Sequence, residues 1–278
     1  MFISLRMAIF LFLSLFFLCE RNLSADVSKE NGIDIVYHIA TMNNWVDIVS
    51  EQLMTLEQSG LGDACDSLTV TVVGPKIQRV RKLFKKLSFL DKVTFIHASK
   101  DLLQYEFPGI DMVRQIASNK PNTRILYMHS KGVTHYGKPS EQPVRLWRRY
   151  MEYFAFERWK DCIEALETVD ICGVDYTLSI LGTYFFAGNV WWSRAAYVST
   201  CQLERNNRFD CESFIGRGIK EPVAKTFHQS GENPKIANLY PYESFPQYYH
   251  FPPSSPYHRG ILNLYSFSYL DEYYRQKD

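Results

Sequence analysis

A group of polar residues directly follows a short apolar run near the middle of the chain. Residues 125–128, Ile-Leu-Tyr-Met, have the length and continuity of a strand covered on both faces, and His129-Ser-Lys-Gly132 comes next. Ligands of parallel α/β sheets bind beside the carboxyl ends of the strands. The cation of Lys131 and the turn permitted by Gly132 therefore indicate a ligand site here. An ordinary strand end with a solvated lysine is the alternative interpretation.

A polar loop and a long helix are predicted after this strand end. Residues 133–143 are rich in Gly, Pro and Ser, which predicts a mobile loop that could close over the site. The pattern of residues 144–167 predicts a helix, and Arg145 and Arg148 lie at its start, where free backbone N–H groups also attract anions. Surface salt bridges are the alternative explanation for these arginines.

The segment Tyr184–Arg194 contains two adjacent tryptophans after Gly188-Asn189. Successive side chains of a strand point to opposite faces, so Trp191 and Trp192 cannot share a side. We expect one of them in the core and the other free to line a pocket.

Apolar runs alternate with amphipathic segments in the first half of the chain. Predicted strands cover residues 32–41, 67–73, 92–97 and 124–128, and predicted helices cover 44–60, 76–87 and 110–119. Repeated β-then-α units predict an α/β fold with a mainly parallel central sheet flanked by helices. Residues 222–278, rich in Tyr, Pro and His, are predicted to form an irregular C-terminal extension packed on the same domain.

Composition limits the partners. The 278 residues, 46% hydrophobic, suffice for one substantial domain, and 31 basic against 30 acidic residues exclude broad attraction to nucleic acid.

Residues 1–25 contain Arg6 and an apolar run of about 13 residues, which predicts a cleaved secretory signal, with a signal anchor in the membrane as the alternative. We therefore expect the secretory pathway (ER or Golgi lumen) or secretion. Without Cys19 five cysteines stay, and these are interpreted as buried hydrophobes or as halves of one or two bridges.

The order of several motifs resembles glycosyltransferase-like proteins of the nucleotide-diphospho-sugar transferase (GT-A) fold over residues 32–217. The motifs are Asn43-Asn44-Trp45, His129-Ser-Lys-Gly132, Trp147-Arg148, Gly188-Asn-Val-Trp-Trp192 and Arg208-Phe-Asp-Cys-Glu212. The GT-A fold implies a Rossmann-like sheet and a nucleotide sugar as donor. In this fold the strand equivalent to residues 125–128 commonly ends in Asp-x-Asp, which holds a divalent metal. This chain has His129-Ser-Lys131 instead, so no cofactor is certain and Mn²⁺ is not favoured.

The resemblance also implies roles for the candidate site residues. Lys131 would neutralise the donor diphosphate in place of a metal, helped by His129, Arg145 and Arg148. For His129, a histidine satisfied by protein contacts is an equal alternative. The sugar or acceptor would be contacted by Gly188, Asn189, Trp191 and Trp192, with a buried hairpin as the alternative.

A carboxylate near residue 212 completes the implied site. Glu212 occupies the place of the catalytic base of inverting GT-A enzymes, with Asp210 as its substitute if the register differs. An exposed carboxylate favoured by a helix N-terminus is the alternative for Glu212. A third interpretation, metal-dependent transfer, would use Asp210, Glu212 and His228, although a packed or phosphate-contacting role is favoured for His228.

The sequence thus predicts a catalytic domain over residues 26–221 that transfers a sugar from a nucleotide sugar to a hydroxyl of a glycan or glycoconjugate. The expected reaction is inverting and independent of metal. The alternative is a noncatalytic carbohydrate-binding protein on a degenerate GT-A fold.

Overall fold

A computed structural model describes residues 31–179 and 182–228, apart from the side chain of Pro143. All elements below belong to one compact unit that begins at Ile33. The predicted signal segment and residues 229–278 of the predicted extension lie outside the described residues. Within the described part of the chain, no helix has the length and apolar character needed to cross a membrane.

Nine strands are present in the described residues. They are β1 (Ile33–Ala40), β2 (Ser67–Val73), β3 (Val93–Ser99), β4 (Arg124–His129), β5 (Ile171–Gly173), β6 (Tyr176–Leu178), β7 (Tyr184–Phe186), β8 (Trp191–Arg194) and β9 (Ala224–Thr226). Seven of them form the central sheet in the order β3-β2-β1-β4-β8-β5-β9, and β6 pairs with β7 in a hairpin. Strands β1 to β4 are parallel, and β8 is antiparallel to both of its neighbours.

Helices follow the first strands in turn. They are α1 (Trp45–Gln58), α2 (Leu61–Ala64), α3 (Ile77–Phe84), α4 (Phe107–Asn119), α5 (Glu141–Glu152), α6 (Trp159–Ala165), α7 (Ala195–Val198) and α8 (Asp210–Ser213). The predicted α/β class is confirmed: a mainly parallel sheet lies between flanking helices. Because each β-then-α unit returns the chain to the same edge, the strands of the first half become parallel neighbours.

Helices cover both faces of the sheet. Leu126 and Met128 of β4 belong to the apolar core that α1, α3 and α5 share, and Ile125 and Tyr127 belong to the core that α4, α7 and α8 share. Every residue of β4 is buried. The continuous apolar run of this strand therefore has the expected cause, namely burial on two sides.

The predicted helix over residues 144–167 differs from the structure. It begins earlier, at Glu141, and a π-helical turn at Tyr153–Glu157 divides it into α5 and α6. A π turn shifts the backbone hydrogen bonds by one residue. In that turn the carbonyl of Ala155 accepts a hydrogen bond from the Trp192 indole N–H, at 2.9 Å. The predicted loop over 133–143 is correspondingly shorter and contains a 3₁₀ turn at Val133–His135.

The sheet continues past the predicted domain boundary. Strand β9 lies parallel to β5, with Ala224 opposite Ile171. Residues 224–226 of the predicted extension thus complete the central sheet, while the boundary at residue 221 stays a prediction. A three-residue edge strand carries too little pattern to be recognised in a sequence.

The cysteines of the described chain are free thiols. Their side chains are buried and make no disulfide: Cys65, Cys162, Cys172, Cys201 and Cys211. This outcome agrees with the interpretation of buried hydrophobes rather than with that of structural bridges.

Candidate functional site

The His129-Ser-Lys-Gly132 segment lies where the direction of strand succession changes. From β1 the chain adds β2 and β3 on one side and β4 on the other, so the carboxyl ends of β1 and β4 flank the switch point of the sheet. Ser130 joins the two strand ends, because its N–H donates to the carbonyl of His38 at 2.9 Å and its hydroxyl accepts from the Ala40 N–H at 3.0 Å. Gly132 then turns the chain with a φ of +107°. The structure thus places the motif where α/β sheets bind ligands.

His129 is held on both sides by protein groups. Its Nε2 lies 2.9 Å from the carbonyl oxygen of Gly188, and its Nδ1 lies 3.3 Å from Oε1 of Glu106. Burial lowers the pKa of His129 to about 4, with Lys131 acting in the same direction and Glu212 in the opposite one. Both ring nitrogens are occupied, so the alternative of a satisfied histidine describes this residue better than a phosphate ligand does.

Glu106 is a functional candidate that the sequence interpretation missed. It stands just before α4, and its Oε2 accepts hydrogen bonds from the Tyr127 hydroxyl at 2.9 Å and from Nδ2 of Asn189 at 2.7 Å. With His129 at Oε1, a single carboxylate connects three elements at the strand end. No motif contains Glu106, and its partners are distant in sequence. The available signal was a carboxylate directly before a helix beside the switch point.

Asn189 is satisfied inside the protein. Its Nδ2 donates to Glu106, its Oδ1 accepts from the Trp191 indole N–H at 2.8 Å, and only 1% of the residue is exposed. These contacts favour the alternative of a buried hairpin over the predicted contact with sugar hydroxyls. The positive φ of Asn189, 56°, shows that this residue serves a tight turn, since Asn tolerates the left-handed region better than most residues.

Gly188 precedes Asn189 in the same tight turn, with a φ of +90°. A Cβ atom here would lie 2.4 Å from the Met151 sulfur and 3.0 Å from the Trp147 ring. Glycine is needed because protein side chains, and not a sugar, approach the backbone. This packing also favours the buried-hairpin alternative for Gly188 over a role beside a sugar.

Both tryptophans are buried. Trp191 packs in the core beside α4 and Trp192 in the core beside α5, each with 0% exposure. The expectation of opposite faces is correct, and the burial of both rings favours the alternative of core tryptophans over one that stacks on a sugar. Helices cover both faces of β8, so neither face lies toward solvent.

Arg148 and Arg145 pair with the same carboxylate. Glu51 of α1 accepts from Nη2 of each arginine, and Arg148 Nη1 also donates to the carbonyl of Lys131 at 3.0 Å. Arg148 is 3% exposed and paired with Glu51, which favours the salt-bridge alternative over its predicted diphosphate contact. The side chain of Arg145 is 27% exposed, and its diphosphate role stays a prediction.

Burial by itself raises the pKa of Glu51, but Arg148, Arg149 and Arg145 outweigh this effect and lower it. Glu51 is therefore a charged anchor. It ties α1 to α5 and, through the Arg148 guanidinium, to the chain directly after β4.

Lys131 keeps its charge available for a ligand. Its Nζ lies 4.3 Å from the centroid of the Trp147 ring, and no carboxylate of the described residues forms an ion pair with it. A cation over an aromatic face is oriented but not neutralised. Lys131 therefore fits an anion better than the two predicted arginines do.

Glu212 and Asp210 differ in their surroundings. Asp210 is 1% exposed, and its Oδ2 accepts from the backbone N–H groups of Asn206 and Asn207 at 2.7 and 2.9 Å, while Oδ1 pairs with Arg217 at 3.0 Å. Asp210 thus holds a turn, and these contacts disfavour its predicted role as a substitute base. Glu212 is partly exposed and close enough to His129 to raise the pKa of that imidazole. Its role as the base stays a prediction.

The proposed metal-binding set is not brought together. His228 lies with Nδ1 3.0 Å from the Tyr150 hydroxyl and stacks on Phe154, which agrees with the packed role favoured for it. In residues 31–179 and 182–228, no three His, Cys, Asp or Glu side chains are grouped so that they could hold a metal ion. The interpretation that used Asp210, Glu212 and His228 as ligands is therefore wrong.

Fold and site together define an α/β protein with its candidate site at the switch point of a mainly parallel sheet. Residues 35–213 match the family described as a domain of unknown function, DUF8361, and the chain belongs to that family. A search of curated protein sequences finds no match. Among solved structures, the chain is similar to 4-diphosphocytidyl-2C-methyl-D-erythritol synthase from Anaerococcus prevotii DSM 20548. The identity is 9%, the TM-score is 0.39, and the match covers 72% of this chain and 90% of that chain.

Proposed function

We propose that the protein is a glycosyltransferase that moves a sugar from a nucleotide sugar to a hydroxyl of a glycan or glycoconjugate. The observation that carries the proposal is the position of Lys131 and Glu212. Lys131 follows the end of β4 with its charge unpaired by any carboxylate of the described residues, and the partly exposed Glu212 is close enough to the His129 imidazole to raise its pKa. A cation and a partly exposed carboxylate beside one site are the two groups that this reaction requires.

The chemistry assigns one step to each group. The acceptor hydroxyl oxygen attacks the anomeric carbon and the bond from that carbon to the phosphate oxygen breaks, so a nucleoside diphosphate leaves. Lys131 stabilises the negative charge that grows on the leaving diphosphate. Glu212 takes the proton of the acceptor hydroxyl. Direct displacement inverts the anomeric centre, and we place the reaction in the secretory pathway because of the apolar N-terminus.

Ligand-induced thermal stabilisation tests donor binding. The purified protein is heated with UDP, GDP, CMP and their sugars, with Mn²⁺ or with chelator. Lys131→Ala is compared with Lys160→Ala, because Lys160 also lies over a tryptophan ring, that of Trp159, at 5.5 Å. A nucleotide shift that persists in chelator and in Lys160→Ala but disappears in Lys131→Ala supports the proposal, since a ligand stabilises only the state that it binds.

Turnover tests the second group. Glu212→Gln should keep the nucleotide shift and lose release of the nucleoside diphosphate by a factor of about 10² or more, the usual contribution of a general base. A folded protein that no nucleotide stabilises would reject the transferase. Stabilisation by glycans alone would instead favour the noncatalytic carbohydrate-binding protein.

A further inference from the structure

Both nitrogens of the His129 imidazole face hydrogen-bond acceptors. Nε2 lies 2.9 Å from the Gly188 carbonyl oxygen, which can only accept, and Nδ1 lies 3.3 Å from Oε1 of Glu106. A neutral imidazole carries one N–H and one lone pair. With the N–H directed at Gly188, the lone pair of Nδ1 would face a carboxylate oxygen. A second proton is needed between Nδ1 and Oε1 to complete the contact.

The other oxygen of Glu106 is already committed. Its Oε2 accepts from the Tyr127 hydroxyl and from the Asn189 amide, so both donors fix the orientation of the carboxyl group. Asn189 is in turn held by the Trp191 indole. Oε1 therefore cannot rotate away from His129 without breaking two partly buried hydrogen bonds, each costing about 1 to 3 kcal/mol when a buried partner is left unsatisfied.

The charged and titratable groups that face this pair come from four elements. They are His38 of β1, Tyr127 of β4, Lys131 after β4, and Cys211 and Glu212 of α8. Burial lowers the pKa of His38 to about 4, so this neighbour is neutral, and its buried Nε2 has no hydrogen-bond partner in the described residues. Lys131 and Glu212 act on His129 with opposite sign.

Burial of the imidazole lowers the pKa of His129 to about 4, so a proton on that ring alone is disfavoured. A proton held between Nδ1 and Oε1 avoids an isolated imidazolium, because a histidine and a glutamate that share it carry no net charge in either arrangement of that proton.

We infer that Glu106 and His129 share one proton and that Glu106 is the positioning residue of the site. Through this pair the end of β4 is fastened to the Gly188-Asn189 turn, and the Lys131 backbone that follows His129 is thereby placed. The inference deepens the proposed function and rests on it only for the use of the site in transfer. The protonation itself can be measured without any substrate.

Nuclear magnetic resonance of the intact protein with ¹⁵N-labelled histidine tests the inference. His129→Gln identifies the signals of His129. In the unmodified protein we expect a proton between Nδ1 and Oε1, seen as a downfield resonance coupled to the His129 ring and retained from pH 6 to pH 8. In Glu106→Gln the amide can keep the contacts with Tyr127 and Asn189 but brings no shared proton, so this resonance should disappear and Nδ1 should be unprotonated.

Two results would overturn the inference. One is a neutral His129 with an unprotonated Nδ1 and no shared proton in the unmodified protein, a reading that does not depend on the folding of any variant. The other is the same His129 spectrum before and after Glu106→Gln. If the shared proton is found while no nucleotide stabilises the protein, the inference about Glu106 and His129 is supported and the proposed glycosyltransferase function is rejected.

Discussion

Gly188 allows conformational strain and steric overlap to be separated at a single residue. Gly188→Ala would bring both a positive φ and a Cβ atom 2.4 Å from the Met151 sulfur. Gly137→Ala is the matched control, because its φ is also positive, +71°, and nothing lies within 4 Å of a Cβ there. We expect a loss in free energy of unfolding of about 1 to 2 kcal/mol from conformation at either residue, plus about 1 to 3 kcal/mol from overlap at Gly188. Urea unfolding of both variants measures the difference, and equal losses would contradict the packing.

Asp210 should make stability depend on pH. Burial raises its pKa, but the N–H groups of Asn207 and Asn206 and the Arg217 guanidinium outweigh this effect, so the folded pKa is lowered. A lowered folded pKa stabilises the protein above the unfolded value of about 4, and this contribution is lost as pH falls through the folded pKa. Asp210→Asn should therefore cost about 1 to 3 kcal/mol at pH 7 and progressively less below pH 4. Unfolding curves from pH 7 to pH 3 measure this difference, and a constant cost would contradict the charge at Asp210.

At the scale of elements, Glu51 connects α1 with α5 and with the end of β4. Glu51→Gln would remove the carboxylate that pairs with both Arg148 and Arg145. Of the described carboxylates, Arg148 would keep only Glu152, whose Oε1 lies 3.3 Å from its Nε; breaking a buried pair costs about 3 to 5 kcal/mol. The control is Asp161→Asn, because the pair of Arg158 and Asp161 is exposed, with 50% and 37% of the side chains in solvent. An exposed pair contributes less than about 1 kcal/mol. Similar losses from the two variants in urea unfolding would contradict a buried anchor.

The elements show how far the sequence could be interpreted. The period of the apolar residues predicts β1 to β4 and their helices because each signal is local. The π-helical turn and the burial of Trp192 are not predictable in the same way, since the Ala155 carbonyl becomes an acceptor only when β8 lies beside it. The same holds for Glu106 and Glu51. A carboxylate is recognised as a hub or an anchor only when distant elements bring its partners together.

The candidate site shows the same limit, because local signals predict some of its residues and contacts between distant elements decide the surroundings of the others. Strand position and motif order predict Lys131 and Glu212. In the structure the charge of Lys131 is unpaired by described carboxylates and Glu212 is partly exposed, while their roles stay predictions. For Arg148 the sequence shows a cation near a helix start but not the buried carboxylate that pairs with it.

At the scale of the whole molecule, the described cysteines report on global unfolding. All five are buried without disulfides, and burial raises the pKa of Cys65 to about 11 and that of Cys201 to about 12. The thiolate is the reactive form, so burial and a raised pKa both oppose alkylation of the folded protein. We expect mass spectrometry after a maleimide pulse to show these five unmodified in native buffer and modified in denaturant.

The same state predicts no response to reductant. Because the described thiols are already free, dithiothreitol should shift the melting temperature by less than about 1 °C. Removal of a native disulfide typically costs about 2 to 5 kcal/mol, and each kcal/mol lost lowers the melting temperature by about 2 to 8 °C in domains of this size or smaller. Cys162 and Cys172 are the informative pair, since the Cys172 thiol lies 3.7 Å from the Cys162 carbonyl oxygen and the two thiols are neighbours. The contrary result is a disulfide-linked peptide that contains Cys162 and Cys172 in a non-reducing digest, together with a lower melting temperature in reductant. It would show that these two cysteines form a bridge.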